Sequence, residues 1–182
     1  MTGVQTCALP ISKGEINKDL HAFERRGGID VLYRGESADV LLISIGAMAP
    51  LCFEAAQQSY LEGVGVTVVD PRWVKPLPRE LATMANRYKS VVVVEDGIKH
   101  GGIASTLSEI FREEGISVPI HSIGIPLTYL EHSKRNEILE DLGITAKQIS
   151  RELVAWNSGQ LFTSNGSEEE WQNQSKIENP DK

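Results

Sequence analysis

Asp39-Val40-Leu41-Leu42-Ile43-Ser44-Ile45-Gly46 is the stretch on which the fold turns. Its near-continuous Val, Leu and Ile content lacks the strict in-and-out alternation of a half-exposed strand, and predicts a strand covered by helices on both faces. Gly46 ends it. Downstream, Met48, Cys52, Ala55, Ala56 and Ser59 recur at helical spacing over 47–62, and Pro50 falls where a first turn tolerates a missing N–H. Gly63-Val64-Gly65 stops that helix, and 66–70 reads as the next strand. A helix over 78–88 then turns Leu81, Met84 and Ala85 inward. Residues 90–95 form a third buried strand, 101–115 a helix with Ile103, Leu107, Ile110 and Phe111 on one stripe, and 118–124 a fourth strand. Such a strand–helix alternation demands a mostly parallel sheet.

Working outward, the short apolar run 29–33 lies before the turn-prone Arg34-Gly35-Glu36-Ser37 and is expected as an antiparallel edge strand. At the other end, 134–142 and 145–156 read as two helices, with Gly143 as a stop between them and Thr145 as an N-cap. The expected fold is α/β: a three-layer α/β/α domain with a mostly parallel sheet of about five strands.

With 41% hydrophobic residues, a chain of 182 suffices for one well-buried domain. A formal net charge of -7 gives no basic footprint for nucleic acid or an anionic membrane surface. No apolar run approaches the roughly 20 residues that span a bilayer, so a soluble cytoplasmic protein is expected. Two cysteines, Cys7 and Cys52, make no disulfide framework, and Cys52 fits a small core position.

Thr2-Gly3-Val4-Gln5-Thr6-Cys7-Ala8-Leu9-Pro10-Ile11 reads like the translation of a common sequencing-library adapter. A signal peptide is the rival reading, but there is no basic n-region, and the stretch is too short and polar for an h-region. Residues 1–11 are therefore set apart from the fold, 12–28 are read as a linker and 29–156 as the domain. Residues 157–182, rich in Ser, Asn, Gln, Gly and Glu, are read as a disordered tail with too little apolar surface to offset the entropy of ordering.

Asp70, Arg72 and Lys75 stand at and just beyond the carboxyl end of the 66–70 strand, where open α/β sheets place ligand-contacting groups. An Arg and a Lys there can hold a phosphate. In the structural alternative, which is preferred, Asp70 and Arg72 pair with each other or cap loops while Pro71 and Pro76 stiffen the turn. Glu95 and Asp96 end the next strand, and a carboxylate pair can act as acid and base when its environments push the two pKa values apart. Neighbours along a strand point to opposite faces, however, which favours hydrogen bonding to loop or partner-subunit amides. Gly101-Gly102 opens a helix whose free N–H groups can bind an anion. Close helix-to-sheet packing accounts for the pair equally well, and there is neither a full GxGxxG nor a P-loop motif. His21, His100, His121 and His132 show no HExxH spacing, so no metal site is assigned. Ser44 and Ser105 lack a GxSxG elbow. No catalytic residue is assigned to this chain.

Asp70-Pro71-Arg72-Trp73-Val74-Lys75-Pro76-Leu77, and Glu95-Asp96-Gly97 with Gly101-Gly102, resemble strand-end signatures of the C-terminal domain of thiamine-diphosphate enzymes of the transketolase superfamily. Gly124-Ile125-Pro126-Leu127-Thr128-Tyr129-Leu130-Glu131-His132-Ser133-Lys134-Arg135, followed by Glu137-Ile138-Leu139 and Leu142-Gly143-Ile144, narrows the resemblance to the 1-deoxy-D-xylulose-5-phosphate synthase family in its actinobacterial form. It runs from about Ser12 to Trp156. Leu127 departs from it, standing where an acidic or polar residue is common, and so does Ile103-Ala104, where an aromatic residue or glycine is common.

The resemblance implies a transketolase C-terminal-like fold and, for the whole enzyme, a cytoplasmic homodimeric transferase using thiamine diphosphate and magnesium. Pyruvate is decarboxylated and its two-carbon unit joined to glyceraldehyde 3-phosphate, giving a precursor for isoprenoid (terpenoid), thiamine and pyridoxal biosynthesis. The cofactor supplies the carbanion chemistry and the protein positions it. The resemblance places the cofactor-binding and catalytic groups in N-terminal domains missing here, so that this C-terminal fragment alone is expected to be inactive and to bind no cofactor. It makes Asp70, Arg72, Lys75, Glu95, Gly101 and Gly102 structural or interface residues. Ser12-Lys13-Gly14 resembles the end of a basic linker motif that faces the substrate phosphate. The motif's first arginine falls at Pro10, which leaves Lys13 either as a phosphate contact without arginine's bidentate fork or as a solvated linker lysine. The alternative is a non-catalytic assembly module such as the C-terminal domain of a 2-oxoacid dehydrogenase β subunit or of transketolase. The run 131–143 discriminates between them, and it is similar to the synthase.

Overall fold

The computed structural model describes residues 22–159. At its centre β3 (Val40–Ile45) pairs in parallel with β4 (Val66–Pro71) on one side and with β5 (Ser90–Ile98) on the other. Val40 and Leu42 of β3 enter one core while Leu41 and Ile43 enter another, all four with no exposed surface. Two covered faces are the reason this strand shows no alternation. β6 (Ile120–Ile125) extends the parallel sheet beyond β5.

A 3-10 turn, Gly46–Met48, leads from β3 into α1 (Ala49–Leu61), with Pro50 in its first turn. Met48, Cys52, Ala55, Ala56 and Ser59 are buried, which is the face the spacing predicts. On the same side of the sheet, α4 (Arg135–Asp141) contributes Leu139 and α5 (Ala146–Asn157) contributes Ile149 and Leu153. α2 (Glu80–Ala85) and α3 (Ile103–Glu113) cover the opposite side through Leu81, Ala85, Leu107 and Phe111. Each of the larger apolar side chains buried this way stabilises the fold by about 1.5–3 kcal/mol before entropy is counted. Thr145 caps α5, its hydroxyl oxygen accepting the Gln148 N–H at 3.3 Å. Between α1 and α5 the Ser59 hydroxyl donates to the Ala55 carbonyl at 2.9 Å and lies 3.0 Å from that of Ser150, so a buried polar pair is satisfied within the helix interface.

The antiparallel end of the sheet differs from expectation. β2 (Ile29–Tyr33) pairs antiparallel with β4 but is not the edge, because β1 (Glu24–Arg26) pairs antiparallel with it from outside. Among the described residues the sheet therefore has six strands, in the order β1-β2-β4-β3-β5-β6, and its first strand falls within 12–28, the stretch read as a linker. Glu24-Arg25-Arg26 carries no apolar signal. Ion pairs of Arg25 with Asp30, and of Arg26 and Arg34 with Glu24, dress it instead, and short charged strands are a usual way to blunt a sheet edge. The legible clue was Gly27-Gly28, a two-residue turn between the strands with Gly27 at φ +55°. Smaller differences concern the ends of elements: α2 is shorter than 78–88, β5 runs on to Ile98, and α5 reaches Asn157. The readings of 1–11, Lys13, His21 and the tail from 160 onward concern residues outside those described.

Candidate functional site at the carboxyl edge

β3, β4, β5 and β6 all run the same way, so the loops that follow them gather at one edge. α1 leaves β3 for one face and α3 leaves β5 for the other. The crevice between the ends of β3 and β5 is thus the switch point where open α/β sheets place ligands. Here Arg135, the first residue of α4, reaches it: the guanidinium donates to Asp96 Oδ2 from Nε at 2.8 Å and approaches it from Nη2 at 2.7 Å. Nη2 also lies 3.5 Å from Met48 Sδ at the end of the 3-10 turn.

Glu95 and Asp96 diverge, as adjacent strand residues must. Asp96 faces outward to Arg135, whereas Glu95 is 5% exposed and its Oε2 accepts the N–H of Ile103 at 3.0 Å. A carboxylate therefore sits at the positive end of α3, where it is electrostatically favoured. Its other oxygen, Oε1, has no hydrogen-bond partner among the described residues. It lies so close to Gly102 that a Cβ there would stand 2.2 Å away. Gly101, at φ +77°, supplies the left-handed turn into the helix. Helix-to-sheet contact thus occupies the place an anion would take, with Glu95 serving as the anion.

Asp70 faces Asp30 directly across the β2–β4 register. Burial, and then the Asp30 charge, push its carboxyl up to about 6. The expected pairing of Asp70 with Arg72 is not formed: no ion pair joins them among the described residues. The chain past the strand end is drawn elsewhere, the Arg72 N–H donating to the Gly28 carbonyl at 3.0 Å, and its side chain is exposed. Lys75 is exposed too. Nothing among the described residues holds Arg72 and Lys75 on a common acceptor.

His121 stacks on Trp156, centroids 4.3 Å apart and planes 6° from parallel. Burial, and then the nearby Lys99 charge, hold it below the usual histidine range. His100 and His132 are exposed, and Cys52 is buried, which raises its thiol pKa and leaves it inert. A cavity of about 450 Å³ lined by Ser108, Phe111, Arg112 and Ile120 opens at the amino end of β6, at the opposite end of the strand from the crevice. The residues present do not fit thiamine diphosphate. A diphosphate needs unfilled helix N–H groups and its metal needs grouped oxygen ligands, whereas Glu95 fills the start of α3 and no three of His, Cys, Asp or Glu are grouped among the described residues. Sequence reasoning missed Arg135 as the group that closes the crevice. No local signal could have linked residues 39 positions apart.

A family model described as "Transketolase, C-terminal domain" matches residues 30–149. Among curated proteins, a 1-deoxy-D-xylulose-5-phosphate synthase of Mycolicibacterium vanbaalenii is 42% identical over 152 residues, covering 82% of this chain and 24% of that protein. One of Streptomyces griseus is 42% identical over 145 residues, covering 79% and 23%. The chain thus spans about a quarter of the length of these relatives. Among solved structures, a split-gene transketolase described as an inactive beta4 tetramer superposes with a TM-score of 0.63 at 29% identity, covering 73% of this chain and 45% of that one. A transketolase of Campylobacter jejuni, at TM-score 0.50 and 17% identity over 70% of this chain and 18% of its own, shares the fold.

Proposed function

Because the chain belongs to the transketolase C-terminal domain family, we propose that it works as the non-catalytic C-terminal domain of a 1-deoxy-D-xylulose-5-phosphate synthase. The observation that carries this is the 42% identity to such synthases, spread over 152 residues and confined to about a quarter of their length. On this reading the whole enzyme is a cytoplasmic homodimer that condenses pyruvate with glyceraldehyde 3-phosphate to feed isoprenoid and thiamine biosynthesis. Thiamine diphosphate, with magnesium, would supply the carbanion chemistry and would be held by the parts of the enzyme this chain does not match. The residues of this chain do something simpler. Glu95 and Gly102 lock α3 onto the sheet and Arg135 closes the crevice over Asp96, giving the catalytic parts a rigid unit to pack on. Lys13 would contact the substrate phosphate.

Reconstitution tests the proposal. The full chain is mixed with the M. vanbaalenii synthase produced without its matching quarter, and product formation is followed. Activity from the mixture, and from neither part alone, is expected; activity of the chain by itself, or none from the mixture, would overturn the reading. In an active mixture Lys13→Ala should raise KM for glyceraldehyde 3-phosphate and leave that for pyruvate unchanged. A second reading, an assembly module of transketolase type, is favoured by the likeness to the split-gene transketolase, and would show itself as rescue of a transketolase in place of the synthase.

A further inference from the structure

Among the described residues, five of the eight exposed large apolar side chains, Trp73, Val74, Ile98, Leu127 and Tyr129, lie at or just past the carboxyl ends of β4, β5 and β6. Trp73 is 68% exposed and Tyr129 96%. The same loops carry Arg72, Lys75 and Lys99, exposed and without an ion pair among the described residues, against one such carboxylate, Glu131, on a chain whose net charge is -7. Asp96, a carboxylate at the crevice, is paired with Arg135. An acidic molecule thus presents one edge that is apolar, aromatic and positively charged. The edge is also fastened, through Arg135 to Asp96, the Lys99 N–H to the Ile125 carbonyl at 2.8 Å, and the Arg72 N–H to Gly28, so little ordering entropy remains to be lost on contact.

We propose that this edge is a docking surface for a folded protein face with apolar side chains inside a carboxylate rim. This rests on the synthase reading, in which that face belongs to the part of the enzyme that the chain does not match. Exposed Trp and Tyr are the side chains that most often anchor interfaces, and unpaired cations around them select an acidic rim. The net charge of -7 disfavours a polyanion such as RNA or an anionic membrane, which would repel the rest of the molecule. A second copy docked edge to edge would set Arg72, Lys75 and Lys99 against themselves.

The test uses the full chain and, as the probe, the M. vanbaalenii synthase without its matching quarter. Titration calorimetry gives Kd and hydrogen exchange locates the contact. Binding is expected, with protection over 72–75, 98–100 and 127–130. The double variant Arg72→Glu, Lys75→Glu and the single variant Trp73→Ala should each weaken it by about ten-fold or more, close to 1.4 kcal/mol, without lowering the melting temperature of the chain. No binding, protection elsewhere, or unchanged affinity in both variants would overturn the proposal, as would binding of the edge to phosphatidylglycerol vesicles or single-stranded RNA in preference to the probe. The two readings separate cleanly. If the mixture makes product while the variants bind like the parent chain, the synthase reading stands and this one falls. If the edge binds but no product forms, docking stands and the synthase reading falls.

Discussion

Gly102 and Glu95 constrain each other at the carboxyl edge. Gly102 is in an ordinary extended conformation, φ -75° and ψ -166°, so backbone strain does not demand a glycine there; the 2.2 Å clearance to Glu95 Oε1 does. Gly101 is the opposite case, with φ +77° and open space where a Cβ would stand, free of neighbours to 4 Å. Gly102→Ala should therefore cost about 1–3 kcal/mol through overpacking, and Gly101→Ala about 1–2 kcal/mol through the left-handed backbone. Combining Gly102→Ala with Glu95→Ala should recover part of the first loss and none of the second, read from urea unfolding. Additive losses would show that the carboxylate does not press on Gly102. Asp70 sets a pH dependence. A carboxyl raised from 3.8 to about 6 binds its proton more tightly in the folded state, so its contribution is fully present below 3.8 and is lost as pH rises through about 6. Asp70→Asn should flatten the fall in stability across that window and raise the melting temperature at neutral pH; an unchanged pH profile would show that Asp70 titrates normally.

Among the elements, α5 and α4 contribute in different ways. Leu153 of α5 is fully buried between that helix and the sheet, and Leu153→Ala should cost about 2–5 kcal/mol by the cavity it leaves. Arg135 begins α4, and its pair with Asp96 is partly solvated, with side chains 45% and 30% exposed. Arg135→Ala should lower global stability by less than about 1 kcal/mol, yet speed hydrogen exchange across 126–134 several-fold, because that loop loses its tie to the crevice. Equal exchange in variant and parent would show that the ion pair fastens nothing. The helices and buried strands were legible because apolar spacing reports directly on which face is covered. The three-residue β1 was not, since a charged edge strand has no covered face to report, and only Gly27-Gly28 marked the turn.

For the whole molecule, the chain spans about a quarter of its synthase relatives, and its carboxyl edge gathers exposed aromatic and cationic side chains that an independent domain would have little reason to display. Composition bounded the class of this chain: enough apolar residues for one well-buried domain, and a net charge of -7 that offers no basic footprint. The run around Val40–Ile45 and the helical spacings after it determined a parallel sheet with helices on both faces, because burial imposes a period on the residues that undergo it. Strand-end motifs carried the family. Tertiary structure alone decided that Glu95 turns inward to α3 and Asp96 outward to Arg135's guanidinium, that Asp70 faces Asp30 and not Arg72, and that Trp73, Ile98 and Tyr129 share one edge. The Asp96–Arg135 and Asp30–Asp70 pairs join residues far apart in the chain, and partners brought together by packing leave no periodic trace in the sequence of either one.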